Sequence, residues 1–220
     1  KTIEIKNNHS LALFNLANVH VDLKNFINAV SCYQKAIEIN PKLLGAHNNL
    51  GLVFRELNDF KNAISCYEMV IAMKPDHVGA HHNLALAYKE LGEFEKAIKS
   101  HQIAIKYEPD NSLHYYYLSE LKKDVLDSEL KIKLKKIIKN DNNTKTNIAY
   151  GNYLLSRYEK KIKNYEGELN YLKKGHQCFF DSKKKKFEFG VKYCFDDVLQ
   201  ISEEANISKF NNKNDYDIKP

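Results

Sequence analysis

Pro41, Pro75 and Pro109 recur every 34 residues along this chain, and the residues around them recur as well. Asn15-Leu16-Ala17, Asn49-Leu50-Gly51 and Asn83-Leu84-Ala85 fall on the same period, as do Phe26, Phe60 and Phe94, and Ala29, Ala63 and Ala97. Self-similarity at a fixed period, in a chain with helical patterning, marks a stacked array; this period is that of a helix–turn–helix unit. One such unit cannot bury its apolar face alone, so the copies must pack on one another. The period therefore points to a solenoid. It also moves the functional question from catalysis to binding.

The second copy shows what each residue type does. Leu50, Val53, Phe54 and Leu57 recur at three- and four-residue steps, which is one face of a helix. Gly51 is small enough for a neighbouring helix to come close. Asn58-Asp59 is a turn signal, and Phe60 follows as an apolar plug. A second helix is expected through Ala63, Ile64, Tyr67, Val70 and Ile71, with Ala63 at a close crossing. Pro75 ends the unit, because proline lacks the amide proton and clashes with a continuing helix. The third copy repeats this with Leu84, Ala85, Tyr88, Phe94, Ala97, Ala104 and Pro109. The first uses Leu13, Leu16, Ala17, Phe26, Ala29, Tyr33, Ala36 and Pro41.

These small, aromatic and proline positions resemble the tetratricopeptide repeat family over residues 10–111, as three copies. The resemblance implies an all-α fold, a right-handed α-solenoid of antiparallel helix pairs. Four positions depart from the pattern. His47 and His81 stand where a large apolar residue is expected, and His20 and His101 replace aromatics.

Composition narrows the class. The chain of 220 residues has no apolar run long enough to span a bilayer and no signal peptide at Lys1. Cys32, Cys66, Cys178 and Cys194 are not at metal or redox spacing, which fits packing thiols in a reducing compartment and predicts a cytoplasmic protein. The chain starts without Met and stops at Ile218-Lys219-Pro220, which reads as part of a longer protein. The net charge of +6 is uneven: residues 1–110 hold 12 basic and 12 acidic side chains, and residues 111–220 hold 22 and 16.

Beyond the third proline the pattern degenerates. Residues 1–9 read as a lead-in, 10–111 as the three repeats, 112–204 as degenerate repeats with a capping helix, and 205–220 as a linker towards a further C-terminal domain. Helices are expected over Ser112–Leu121, Leu126–Lys139, Ile148–Lys161, Glu166–Phe180 and Ser182–Glu204. Leu130, Leu134, Ile137, Ile138, Leu154, Leu155, Tyr158, Leu169 and Leu172 are the expected inward residues of the middle three, with Gly175 as a small contact. The segment Leu113–Glu204 is similar to a region between tetratricopeptide repeats and a sulfotransferase domain in some bacterial fusion proteins. Leu113-His114-Tyr115-Tyr116-Tyr117-Leu118 and Tyr171-Leu172-Lys173-Lys174-Gly175-His176 carry that similarity, with the closing Asp215-Tyr216-Asp217-Ile218-Lys219-Pro220. It implies a non-catalytic arm with a catalytic domain after it. No residue here matches a sulfate-donor loop.

A binding face follows from helical geometry. Asn15, Asn18 and Asp22, then Asn49, Leu52 and Glu56, then Asn83, Leu86 and Glu90 lie opposite the stacking face of each first helix. In the family this stripe lines the inner groove. Asn15, Asn49 and Asn83 would form a ladder of amides, each with donors and an acceptor for a peptide backbone. A similar ladder holds extended peptides in the repeats of O-linked N-acetylglucosamine transferase. The same asparagines could instead bond a neighbouring helix. The acidic row Asp22, Glu56 and Glu90 reads first as a solvated face and second as a receiver of basic side chains. His47, His81 and His82 do not make a metal site, because neighbours on a helix point about 100° apart. With no phosphate loop, nucleophile elbow or zinc-type cysteine pair, no catalytic residue, metal or cofactor is expected. The expected partner is a peptide or protein, not a membrane and not nucleic acid. The alternative is a polyanion, nucleic acid or sulfated glycan, held by the basic second half through Lys183–Lys186.

Overall fold

The computed structural model describes residues 2–140 and 142–183, with side chains from residue 9 onward. Among these the structure is helical throughout: α1 (Thr2–Asp22), α2 (Phe26–Ile39), α3 (Leu44–Glu56), α4 (Phe60–Met73), α5 (Val78–Glu90), α6 (Phe94–Tyr107), α7 (Ser112–Leu121), a 3-10 turn (Lys123–Val125), α8 (Ser128–Lys139) and α9 (Lys145–Lys161). A tenth helix, α10, covers 165–183. The expected capping helix, the linker, Cys194, Lys184–Lys186 and the closing Asp215–Pro220 lie outside the described residues. The lead-in is not a separate element, since α1 begins at Thr2. No helix among the described residues is long and apolar enough to cross a membrane.

Helices pair within each repeat and then with the next: α1 with α2, α3 with α4, α5 with α6, and each even helix with the following odd one. The crossings fall at the small residues. Ala29, Ala63 and Ala97 are fully buried, as are Ala17, Ala46, Ala80 and Ala85. A Cβ built on Gly51 would lie 2.6 Å from the Tyr67 ring, so Tyr67 fills the space that glycine leaves. Tyr33 and Tyr67 are the large fully buried side chains of the first two repeats. Burial pushes the Cys66 thiol up to about 11, which makes it an inert packing group.

The turn inside each repeat is built the same way. Lys24, Asn58 and Gly92 each have positive φ (57°, 59° and 75°), one repeat apart. The residue after each then donates its N–H back into the helix: Asn25 to His20 O, Asp59 to Phe54 O, Glu93 to Tyr88 O. This is a left-handed helix stop. Asn25 and Asp59 also cap the next helix, accepting from the N–H of Asn28 and Asn62. Lys163 has φ 60°, and Asn164 N–H donates to Glu159 O, so α9 and α10 are joined by the same device. Between α7 and α8 it is missing: Lys122 is extended and a 3-10 turn follows. The repeat rule thus breaks at α7–α8 and resumes at α9–α10.

The degenerate half still has a core. Leu130, Leu134, Ile137, Leu154 and Leu155 are buried together, and both α7 and α8 pack on α9. Gly175 is a tight contact as expected, because a Cβ there would meet the Tyr153 ring at 2.6 Å. Other expected inward residues are not inward. Leu169 and Leu172 are 51% and 37% exposed, and Phe94 is 49% exposed where Phe26 and Phe60 are half-buried. Leu16 is 46% exposed although its equivalents Leu50 and Leu84 are buried, since no helix of the structure precedes α1 to cover it.

Two predictions follow from this packing. Ala63→Leu and Ala97→Leu each add three heavy atoms to a close crossing and should cost about 1–3 kcal/mol. Denaturant unfolding checks this, and unchanged midpoints in both would mean that the crossings lie elsewhere. Lys24→Gly should stabilise the chain by about 0.5–1 kcal/mol, because an L side chain in the left-handed region carries strain that glycine lacks. Asn58→Gly should gain less, since asparagine tolerates that region. Equal losses in both variants would contradict the turn description.

Candidate peptide-binding groove

The odd-numbered helices bring one polar stripe into register, and its side chains bond across repeats. Tyr33 Oη donates to Asn18 Oδ1 at 2.6 Å, and Asn49 Nδ2 donates to the same oxygen at 3.0 Å. Asn48 Nδ2 donates to Asn49 Oδ1 at 3.3 Å, and Asn83 Nδ2 donates to Asn48 Oδ1 at 3.4 Å. A continuous row therefore runs from α1 through α3 to α5. It uses one amide hydrogen of Asn83, while the Asn49 amide, besides its bond to Asn18, also interacts with the Tyr33 hydroxyl.

This row differs from the expected ladder at one rung. Asn15 is exposed and stands off it, and Asn18 takes the place on α1. Asn15 and Asn18 are about one helical turn apart, and it is the later residue whose side chain reaches Asn49. Asn48 was not expected because its equivalents, Phe14 and His82, are not asparagine, so it carries no periodic signal.

Asn18, Asp22, Asn49, Leu52 and Glu56 line one cavity of about 690 Å³, together with Tyr33, Arg55 and the Phe26 end of α2. Leu52 is half-buried and Asp22, Glu56 and Lys24 are exposed, giving an apolar wall with two carboxylates and one ammonium at its rim. Arg55 Nη1 is buried there with no hydrogen-bond partner. Burial raises the Tyr33 hydroxyl pKa above the ordinary value, so the phenol stays a donor to Asn18. Asn83, Leu86 and Glu90 do not line this cavity. Asn83 joins through Asn48, Leu86 is half-buried, and Glu90 is exposed one repeat further on.

The row ends at the fourth helix pair. Tyr117 stands one period after Asn83, and from there the face is aromatic. Tyr116, Tyr117, Tyr150 and Tyr153 line a second cavity of about 760 Å³ with Lys89, Glu120, Arg157 and His176. Arg157 lies over the Tyr116 ring at 3.9 Å and donates to Glu120 Oε1 at 3.2 Å; Lys89 reaches Glu120 Oε2 at 2.8 Å. Burial opposes ionisation of Glu120, but the bonds from Lys89 and Arg157 outweigh it and hold its carboxyl below the ordinary glutamate range. Burial and Tyr117 push the Tyr150 hydroxyl up to about 12. Carrying the Asn15–Asn49–Asn83 register one period further reaches Tyr117, so this half of the face was legible in the sequence.

Comparison with known proteins places the repeats. One tetratricopeptide repeat model matches residues 9–76 and another matches residues 78–111. No curated protein matches the chain. Among solved structures, a MamA crystal structure aligns at 16% identity over 82% of this chain and 95% of that one, with a TM-score of 0.57. The first repeat domain of Spaghetti (RPAP3), bound to the HSP90 peptide SRMEEVD, aligns at 20% identity over 55% and 96%, with a TM-score of 0.51. The Arabidopsis OM64 repeat domain aligns at 22% over 54% and 98%, with a TM-score of 0.52. At these identities the likeness concerns the fold. Residues 9–76 and 78–111 of this chain are tetratricopeptide repeats, stacked as an α-solenoid.

Proposed function

We propose that the chain is a protein-interaction module whose groove takes an extended peptide along the asparagine row. The observation that carries this is the cavity at the first two repeats. It joins backbone-type hydrogen-bonding groups (Asn18, Asn49), an apolar wall (Leu52) and an acidic rim (Asp22, Glu56) in one space. Side-chain amides suit a peptide backbone whatever the ligand side chains are, and Asp22 and Glu56 offer carboxylates to a Lys or Arg beside an apolar residue. That the RPAP3 repeat domain is a peptide complex supports the same class of ligand. The aromatic cleft around Tyr117 and Tyr153 extends the groove for a longer ligand.

A polyanion ligand is less well supported, because many cations of the second half are used internally. Lys131 pairs with Glu159, Lys161 bonds Leu126 O, and Lys133 bonds Tyr115 Oη. The sulfotransferase link stays with the resemblance of residues 113–204 alone, since the matched models and the structures named above are repeat proteins.

Peptides selected from a random library on the 220-residue chain supply the ligand for a test. Glu56→Ala removes an exposed rim charge, so stability should stay within about 0.5 kcal/mol while affinity for a Lys- or Arg-bearing peptide falls severalfold. Asn49→Ala should weaken binding and also cost about 0.5–1.5 kcal/mol of stability, because it removes the bond to Asn18. Titrations in which both variants bind as tightly as the parent would overturn the groove. Affinity for heparin or RNA that exceeds peptide affinity, and collapses with added salt, would favour the polyanion instead.

A further inference from the structure

Three imidazoles meet where α5, α6 and α7 come together. His82, His101 and His114 each offer a ring nitrogen, and these atoms lie within 4.8 Å of one another. His101 is fully buried, and neither of its ring nitrogens has a hydrogen-bond partner. Nδ1 of His82 and Nδ1 of His114 are also buried and unpartnered. These three rings therefore hold four buried nitrogens with unmet hydrogen-bonding capacity, and one nitrogen of each ring lies near the other two rings.

Repeat packing does not require this. One period earlier the same three positions hold Asn48, Tyr67 and Ala80, and one period before that Phe14, Tyr33 and Ala46. Those residues close the earlier junctions with a buried tyrosine and a fully buried alanine. Only at the third junction do all three become histidine. None of the three can be paired with another by sequence spacing, since they sit on three helices. The other two histidines that the sequence draws attention to are used differently: His47 and His81 bond Pro41 O and Pro75 O at 2.9 Å.

We propose that His82, His101 and His114 form a zinc-binding site that ties α5, α6 and α7 together. Neutral imidazole nitrogens suit Zn²⁺, and three protein nitrogens leave a fourth position for water. Tetrahedral zinc at Zn–N of about 2.0–2.1 Å needs nitrogens about 3.3 Å apart, so side-chain rotation of the three rings must close the present spacing. Outer contacts already orient the ligands. His114 Nε2 lies 3.4 Å from Glu108 Oε2, which leaves Nδ1 for the metal, and the Tyr117 ring stacks on His101 at 5.8 Å. Burial disfavours the charged imidazolium at all three, with Arg55 adding to this at His82 and Lys89 at His101, while Glu108 opposes it at His114. Zinc there would brace the junction just before the repeat rule breaks at α7–α8. The site stands independently of the peptide reading.

The test uses the full 220-residue chain after chelator treatment and buffer exchange. Zn²⁺ is titrated against a chromophoric chelator, and Co²⁺ against visible absorption. The expected result is one tight equivalent per chain, the intense visible bands of four-coordinate Co²⁺, and a raised melting temperature with Zn²⁺. The variants His82→Asn, His101→Tyr and His114→Ala restore the residues of the preceding repeat, so the fold has precedent for each. Each should weaken zinc binding more than about 100-fold, beyond the loss typical of an outer-shell change. The exposed His9→Gln should bind like the parent. Absence of a stoichiometric site in the parent, or tight binding that survives in any folded variant, overturns the proposal and leaves the cluster as aromatic packing. Circular dichroism identifies which variants are folded, and the parent titration decides the matter even if none is.

Discussion

The rest of the structure depends on the close crossing of paired helices at Ala29, Ala63 and Ala97. All three are fully buried, so a larger side chain there has to displace close-packed neighbours. The crossing fixes the angle within each pair. The left-handed turn at Lys24, Asn58 and Gly92 fixes the reversal, and the proline-terminated connection fixes the step to the next pair. Once these three are repeated, the odd helices are carried onto one side of the stack. Residues one period apart then become neighbours, which lets Asn18, Asn49, Asn48 and Asn83 bond across helices that are far apart in the chain.

The same logic explains why the face changes character halfway. At the fourth pair the turn device is missing, and α7 and α8 both lean on α9 instead of following the repeat step. The asparagine register reaches Tyr117 there, and a Tyr and Arg cluster replaces the amide row. A ligand spanning both cavities would meet hydrogen-bonding amides and acids at one end and aromatic rings at the other. The three histidines lie beneath that transition, with Tyr117 stacked on His101 and edge-on to His82.

Much of this was legible in the sequence, because periodic features report on themselves. The helices, their turns, the buried alanines and tyrosines and the small residue at Gly175 all follow from register and residue size. What was not legible came from neighbours that periodicity does not encode. Leu16 matches Leu50 and Leu84 in sequence, but among the described residues no helix packs on the outer side of α1. Asn18 replaces Asn15 in the row because the contact with Asn49 is made between helices, which spacing within one helix does not encode. Asn48 has no asparagine equivalents and so left no trace. Leu169 and Leu172 have the spacing of a buried face on α10, yet they stay 51% and 37% exposed, and Leu172 lines the aromatic cavity. His82, His101 and His114 look like scattered departures from a pattern until three helices bring them together.

The central claim is that the repeat stack turns a periodic asparagine into a ligand-facing row. Nitrogen-edited NMR of the side-chain amides tests it most directly, with a library-selected peptide added to the labelled chain. The account predicts that the side-chain amide signals of Asn18, Asn49 and Asn83 move most, while the backbone amide signals of Lys61 and Met69 on the exposed outer surface, read in the same spectrum, stay still. Shifts concentrated on that outer surface, with the asparagine amides unmoved, would contradict it.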